Sequence, residues 1–176
     1  ITFSANREYN AWGSYIDMPH TAFGTTNDLE LSKQLWEIYS QEMKAIGYHL
    51  TLNPYGVELG SWYGEDPSYL AELTAAEVES MQSTGLSVCV KHFIARGNPG
   101  LSFGNARSVA QLYENWMVPW QAAIDAGCDW IMTNTGTGLS NTVRVDYDKE
   151  SMDYLRNVLG FDGVTDWGPV GRGTME

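Results

Sequence analysis

The 176-residue chain is poor in positive charge, with ten lysine and arginine residues against 22 aspartate and glutamate residues. The net charge of −12 argues against binding to nucleic acid or to an anionic membrane surface, because both carry dense negative charge. The sequence also lacks any run of about 18 apolar residues, the length that a membrane-spanning helix requires. We therefore expect no nucleic-acid partner and no membrane insertion.

Residues that hold metals and cofactors are also scarce. The two cysteines, Cys89 and Cys128, and the three histidines, His20, His49 and His92, show neither a CxxC motif nor a paired-histidine spacing. No GxGxxG motif follows a strand pattern, so a dinucleotide has no support either. We predict no metal and no cofactor. Cys89 lies in the apolar run "LSVCVKHF" and is predicted to be a buried free thiol, with a disulfide to Cys128 as the less favoured alternative.

Apolar and aromatic residues are abundant. Hydrophobic residues make up 43% of the chain, and seven tryptophans and ten tyrosines are many for this length. This composition predicts a single globular domain with a substantial core. The aromatic residues are either large core residues or flat surfaces on which a sugar ring could stack.

Short apolar runs alternate with longer segments of helical periodicity. Asn27 is predicted to cap the first helix with Glu30 as its capping-box partner, and Gly47 is predicted to end it. Residues 6–26 are predicted to form a loop. The predicted strands are 1–5, 48–54, 86–93, 129–135 and 162–167, and the predicted helices are 28–46, 67–84, 108–126 and 149–159.

This βαβαβαβαβ order predicts an α/β fold with about five parallel strands joined by helical crossovers. An open doubly wound sheet and part of a (β/α)₈ TIM-like barrel both fit the order. Polar residues at the end of every strand favour the barrel, because active sites lie at that rim. Since a complete barrel takes about 250 residues, residues 1–176 are expected to form a single, incomplete barrel domain.

Two strand ends carry the strongest candidates for chemistry. Asp166 ends the last strand and is either a structural aspartate or a catalytic carboxylate, and Trp167 beside it is either core or a surface for a sugar. Lys91 and His92 end the third strand and could donate hydrogen bonds to sugar hydroxyls. Met132, near the end of the fourth strand, is either core or a ligand contact. Consecutive strand residues face opposite ways, so Lys91 and His92 can both reach a cleft only where the strand bends.

The ordered set "YGEDP" (63–67), "KHF" (91–93) and "GFDG" followed by "TDWG" (160–168) resembles glycoside hydrolase family 3. The resemblance implies a retaining, exo-acting β-glycosidase of the β-glucosidase or exo-β-glucanase type, which acts on a β-linked oligosaccharide or glucoside. Asp166 would be the nucleophile that forms a covalent glycosyl–enzyme. Lys91 and His92 would bind hydroxyls of the sugar, Trp167 would stack at the neighbouring subsite and Met132 would line the pocket.

The chain also departs from the family pattern. The segment "NPYGVELGSWYGEDP" (53–67) lacks the arginine that binds the sugar in the family. Thr135 stands where many members have a tyrosine, and no His-Asp pair follows "KHF", which counts against the N-acetylglucosaminidase branch. The acid/base and a second α/β domain are expected outside residues 1–176. Only two residues separate Gly163 from Asp166, where the family usually has three or four. We therefore expect this strand to be too short to reach the rim, with residues missing near 163–165, near 57–62 and beyond both ends.

Two alternatives stay open at this point. One is a non-catalytic, carbohydrate-binding or structural relative that has lost the acid/base and the sugar-binding arginine. The other is a barrel aldolase or lyase in which Lys91 forms a Schiff base with a carbonyl substrate.

Overall fold

The computed structural model describes residues 4–5, 20–54, 57, 63–94, 110, 112–134, 136–140 and 143–167. For residues 4, 5, 20, 21, 166 and 167 it describes the backbone alone.

Five parallel strands form one sheet, in which each strand pairs with the strand that follows it along the chain. A doubly wound sheet reverses its strand order at a switch point, whereas a barrel wall keeps the chain order. The described strands therefore have the order of a barrel, as predicted. They are β1 (Ser4–Ala5), β2 (Leu50–Thr51), β3 (Ser87–Phe93), β4 (Trp130–Thr133) and β5 (Val164–Trp167).

Helices connect the strands and pack side by side on one face of the sheet. A π-helical turn, Leu112–Trp116, leads into the fourth helix, and another, Tyr154–Val158, extends the fifth. The sequence predicted each of these two segments as one regular helix. Pro119 lacks the N–H that would bond the carbonyl of Asn115, which accounts for the irregular first segment. The helices are α1 (His20–Thr26), α2 (Leu29–Ala45), α3 (Pro67–Ser83), α4 (Met117–Asp125) and α5 (Lys149–Asp153), with a 3₁₀ turn at Val145–Tyr147.

Helix α1 lies where the sequence predicted a loop, and that prediction was wrong. Its sequence, HTAFGTT, has weak helix propensity, so local signals do not account for it. Phe23 is buried and stacks on Trp36 of α2 with the ring centroids 5.0 Å apart. Tertiary packing therefore stabilises a helix that the local sequence does not specify.

The start of α2 also corrects a prediction. Asp28 is the N-cap, with an extended backbone and a side chain that accepts a hydrogen bond from the Leu31 N–H at 2.9 Å. Asn27, the predicted cap, has a φ of 50° and lies one residue earlier. The predicted end at Gly47 is confirmed by its φ of 96°. Asp66 caps α3, accepting hydrogen bonds from the N–H groups of Ser68 and Tyr69.

The strands separate two apolar clusters. The larger one, here called the outer core, lies between sheet and helices and contains Val88, Val90 and Ile131 with helical residues such as Trp36 and Trp120. The smaller one, here called the inner cluster, lies on the opposite face and consists of strand residues: Leu50, Cys89 and Met132, with Leu52 and Trp130 against them. Cys89 is a buried thiol, as predicted, and so is Cys128.

Strand β5 overturns the expectation that it is too short. Val164 to Trp167 pair one-to-one with Trp130 to Thr133 of β4, without a register shift. Because β4 itself has only four residues, four residues carry Asp166 to the level of Met132. Of the other expected gaps, the 57–62 segment falls outside the described residues except for Val57.

Candidate active site

Buried polar side chains gather at the carboxyl ends of β2, β3 and β4. Asn53 donates from Nδ2 to Thr51 Oγ1 at 3.0 Å, and the Lys91 N–H donates to the Pro54 carbonyl at 3.1 Å. A polar side chain is buried at a cost unless it is hydrogen-bonded, so polar residues concentrated at one rim are typical of a binding site. The polar residues buried at this rim are Thr51, Asn53, Lys91, Thr133 and Asn134.

An irregularity at the end of β3 decides how Lys91 and His92 are placed. Lys91 pairs with Met132, but the next pair joins Phe93 to Thr133, so His92 is an extra residue in the ladder. The peptide between Lys91 and His92 is cis. Regular alternation would put Phe93 on the inner face, yet its ring packs in the outer core, edge-on to Trp120 at 5.2 Å.

Val90 and Phe93 both belong to the outer core, although they are three positions apart along the strand, where regular alternation gives two. Lys91 and His92 therefore occupy two consecutive positions between outer-facing residues. This irregularity in β3 is the kind of bend that the sequence analysis required for Lys91 and His92 to reach the same cleft.

Lys91, Met132 and Asp166 lie at one level across three adjacent strands. Lys91 is the register partner of Met132, and Met132 is the register partner of Asp166. At about 4.8 Å between strands, the Lys91 and Asp166 backbones are about 10 Å apart. Trp167 is paired with Thr133 one step further along. Four of the five predicted site residues thus fall on adjoining register positions, and His92 is the inserted neighbour.

Burial and a neighbouring positive charge determine the protonation state of His92. Burial, and secondarily the positive charge of Lys91, lower the pKa of His92 from 6.5 to about 4. His92 is therefore neutral near pH 7, so one ring nitrogen can donate a hydrogen bond and the other can accept one. Lys91 is only 4% exposed, which places a cation in a largely desolvated position at the same rim.

The Met132 side chain is buried against other strand residues rather than exposed to solvent. It is 2% exposed and contacts the inner cluster with Leu50 and Cys89. Its predicted contact with a sugar stays a prediction, as do the individual roles of Lys91, His92, Asp166 and Trp167.

The sequence did not reveal the anchoring of the loops around this rim. Tyr63 donates from its hydroxyl to Oε2 of Glu77, and both residues are buried. Asp148 caps α5 and also binds the preceding loop. The spacing of Asp148 and Ser151 before a helix was a readable cap signal, whereas the contact with the loop was not.

A concavity is lined in part by the loop between β4 and α5, including Ser140 and Asp148. It has a volume of about 780 Å³ and contains none of the predicted site residues. Its lining includes Tyr113, Tyr147, Tyr154, Asp153 and Val158. Within the described part of the chain, no three histidine, cysteine, aspartate or glutamate residues come together as metal ligands. None of the described helices is both long and apolar enough to cross a membrane.

Comparison with known proteins decides the family. Residues 17–174 match the N-terminal domain of glycosyl hydrolase family 3. The chain belongs to this family. A β-glucosidase from Bacteroides ovatus is 30% identical over 126 residues, which cover 69% of this chain and 16% of that protein. A β-hexosaminidase from Stenotrophomonas maltophilia is 30% identical over 157 residues, which cover 77% of this chain and 45% of that protein. The family 3 chain described here thus spans less than half the length of these relatives.

Solved structures confirm the fold of this family 3 chain. A mutant β-glucosidase from Listeria innocua in complex with laminaribiose superposes with a TM-score of 0.82 at 26% identity. The superposition covers 95% of this chain and 25% of that structure. NagZ from Neisseria gonorrhoeae, at 18% identity and a TM-score of 0.79, shows the same fold.

Proposed function

We propose that this chain is the nucleophile-bearing part of the barrel of a retaining, exo-acting β-glycoside hydrolase of the β-glucosidase type. The observation that carries the proposal is the common level of Lys91, Met132 and Asp166 at the carboxyl ends of β3, β4 and β5. Relatives named as β-glucosidases support the substrate class, and a β-glucosidase with bound laminaribiose supports a β-linked glucoside.

In the proposed reaction, the Asp166 carboxylate attacks the anomeric carbon while the leaving oxygen takes a proton from an acid. A glycosyl ester on Asp166 results, and water then hydrolyses it with the same acid now acting as base. The acid/base belongs to a part of the protein outside residues 1–176, because the relatives extend far beyond the matched segment. The second domain predicted from the sequence is the proposed source.

Lys91 and His92 have complementary parts in this proposal. The nucleophile must be ionised, and the buried Lys91 cation stabilises negative charge in the same site. Neutral His92 both donates and accepts, which suits a sugar hydroxyl that does the same. Trp167 provides the stacking surface of the neighbouring subsite, and Met132 lies beneath the sugar.

The test compares Asp166→Asn with Asp162→Asn in the polypeptide that contains this chain. Asp162 is exposed and lies four residues earlier, so its substitution is the matched control. A 2-fluoro glucoside with a good leaving group should add its sugar to Asp166, as read from the mass of the tryptic peptide. Asp166→Asn should lose this adduct and several orders of magnitude in kcat, because an amide is not a competent nucleophile. Near-normal turnover in Asp166→Asn would refute the assignment.

Two other functions give distinct results in the same experiment. The β-hexosaminidase relatives make an N-acetylglucosaminide the second candidate substrate, and the absence of a His-Asp pair after "KHF" weighs against it. Faster cleavage of an aryl N-acetyl-β-glucosaminide than of the matching glucoside would favour that branch. Sugar binding without turnover or adduct would indicate a non-catalytic relative. The Schiff-base alternative has no support among the relatives.

A further inference from the structure

The loop between β4 and α5, here called the rim loop (residues 134–148), begins directly after Thr133, the register partner of Trp167. Backbone hydrogen bonds make it a hairpin: the Gly138 N–H donates to the Val143 carbonyl at 2.8 Å, and the Val145 N–H donates to the Gly136 carbonyl at 3.1 Å. The described part of this loop is therefore a compact structure beside the candidate site.

The first residues of the rim loop are bound to the end of β3. The Asn134 N–H donates to the Phe93 carbonyl at 2.5 Å, one residue after His92. Oδ1 of Asn134 in turn accepts from the Gly136 N–H at 3.0 Å. The backbone of Asn134 is thus a direct neighbour of the Lys91–His92 segment.

The far end of the rim loop is bound to Asp148. Oδ2 of Asp148 accepts from the Ser140 N–H at 3.1 Å, from Ser151 Oγ at 2.6 Å and from the Ser151 N–H at 3.3 Å. Ser151 Oγ accepts from the Leu139 N–H at 2.8 Å. Asp148 is 3% exposed and Ser151 is fully buried. The Asp148 carboxylate therefore caps α5 and binds Ser140 of the loop directly, and it binds Leu139 through the Ser151 hydroxyl.

The packing of Gly138 against Asp148 and Ser151 leaves no space for a side chain at position 138. A Cβ atom on Gly138 would lie 2.2 Å from Asp148 Oδ2 and 2.4 Å from Ser151 Oγ, where only a glycine fits. Burial by itself would raise the pKa of Asp148, but hydrogen bonds from Ser151 and Ser140 outweigh it and hold the pKa below its usual value. The carboxylate is ionised near neutral pH, so these are charge-assisted bonds.

We propose that Asp148 is a positioning residue of the active site, which holds the rim loop so that the backbone of Asn134 is fixed beside Lys91 and His92 for sugar binding. This inference rests on the proposed function. It assigns to Asp148 an effect on substrate affinity that an ordinary helix cap does not have.

The test uses Asp148→Ala, Asp148→Asn and Gly138→Ala in the polypeptide that contains this chain. Asp28→Ala is the control, because Asp28 caps α2 through a side-chain bond to Leu31 and makes no described contact with the rim loop. Five quantities are measured: the melting temperature, kcat and KM for an aryl β-glucoside, the Kd of a glucose-like imino sugar, and amide hydrogen exchange at residues 136–140.

Asp148→Ala and Gly138→Ala should raise KM and the imino-sugar Kd about tenfold, change kcat less and speed amide exchange in the rim loop. Asp148→Asn keeps an acceptor oxygen and the shape of the side chain, so it should restore most of the affinity. Asp28→Ala should lower the melting temperature and leave KM, Kd and rim-loop exchange unchanged.

Loss of stability in Asp148→Ala with KM and Kd within twofold of the parent would overturn the inference. So would unchanged amide exchange at residues 136–140 in Asp148→Ala or, if that variant does not fold, in Gly138→Ala. This readout needs no activity. The proposed function fails by a different result, which is turnover in Asp166→Asn. The two failures are therefore distinguishable.

Discussion

His92 should make the barrel acid-sensitive, and its substitution should remove that sensitivity. The pKa of His92 is lowered to about 4 in the folded protein, first by burial and then by the Lys91 cation. In an unfolded chain the pKa is about 6.5. Between these two values the unfolded state binds a proton that the folded state does not. Stability therefore rises with pH in this window, is complete above pH 6.5 and declines as the pH falls toward 4.

The size of the effect follows from the gap between the two pKa values. They differ by about 2.5, and one pKa unit corresponds to about 1.4 kcal/mol, so His92 should destabilise the fold by about 3 kcal/mol between pH 6.5 and pH 4. For a domain of this size, 1 kcal/mol shifts the melting temperature by about 2–4 °C. The expected contribution of His92 is therefore a fall of about 6–12 °C.

The assay records melting temperatures from about pH 7.5 to about pH 4 for the parent, His92→Gln and His49→Gln. Glutamine keeps a polar side chain of similar size and does not titrate, so His92→Gln should show a flatter curve in this range. His49 is exposed, and its substitution should leave the parental curve. Carboxylates contribute equally to all three proteins, so the difference between curves isolates the histidine. Parallel curves for the parent and His92→Gln would refute the reasoning.

Three further predictions concern binding, packing and thiol access. Lys91→Ala should weaken imino-sugar binding by about 1.5–3 kcal/mol, the range for charged hydrogen bonds, and an unchanged calorimetric Kd would contradict its role. Gly24→Ala should lower the free energy of unfolding in urea by about 1–3 kcal/mol, because the added Cβ atom would lie 2.4 Å from the Tyr63 carbonyl oxygen. An unchanged unfolding midpoint would mean that the Tyr63 backbone can shift without loss of stability. Cys89 and Cys128 should resist thiol reagents at pH 8 until the protein is denatured, since both are buried and burial raises the pKa of Cys128 to about 12; rapid native labelling would contradict this.

The two long helices could be predicted because their signals are local. Apolar residues at helical spacing, Pro67 at the first position of α3, and Gly47 after α2 each act within one or two turns of chain. Helix α1 could not be predicted in this way, because Phe23 is held by Trp36 from another helix. The cap at Asp28 rather than Asn27 depended on a backbone angle that either residue type could adopt.

The candidate site divides in the same way. Polar residues at strand ends were visible in the sequence, and a parallel sheet brings such ends to one rim. The insertion of His92 into the ladder was not visible, because it depends on Phe93 packing against Trp120. The hydrogen bond between Asp148 and the rim loop could not be predicted from the sequence either, because it joins residues that only the folded hairpin brings together.

The sequence by itself determined the alternation of strands and helices, the family and the residue types at the strand ends, because periodicity, caps and short motifs are encoded within a few neighbouring residues. Tertiary structure alone decided the strand register that puts Asp166 level with Met132 and Lys91, and the consecutive placement of Lys91 and His92. Register depends on how whole strands pack against the helices, and a shift of one residue would exchange the inner and outer faces of a strand. That choice is made by the outer core, which assembles from residues far apart in the chain.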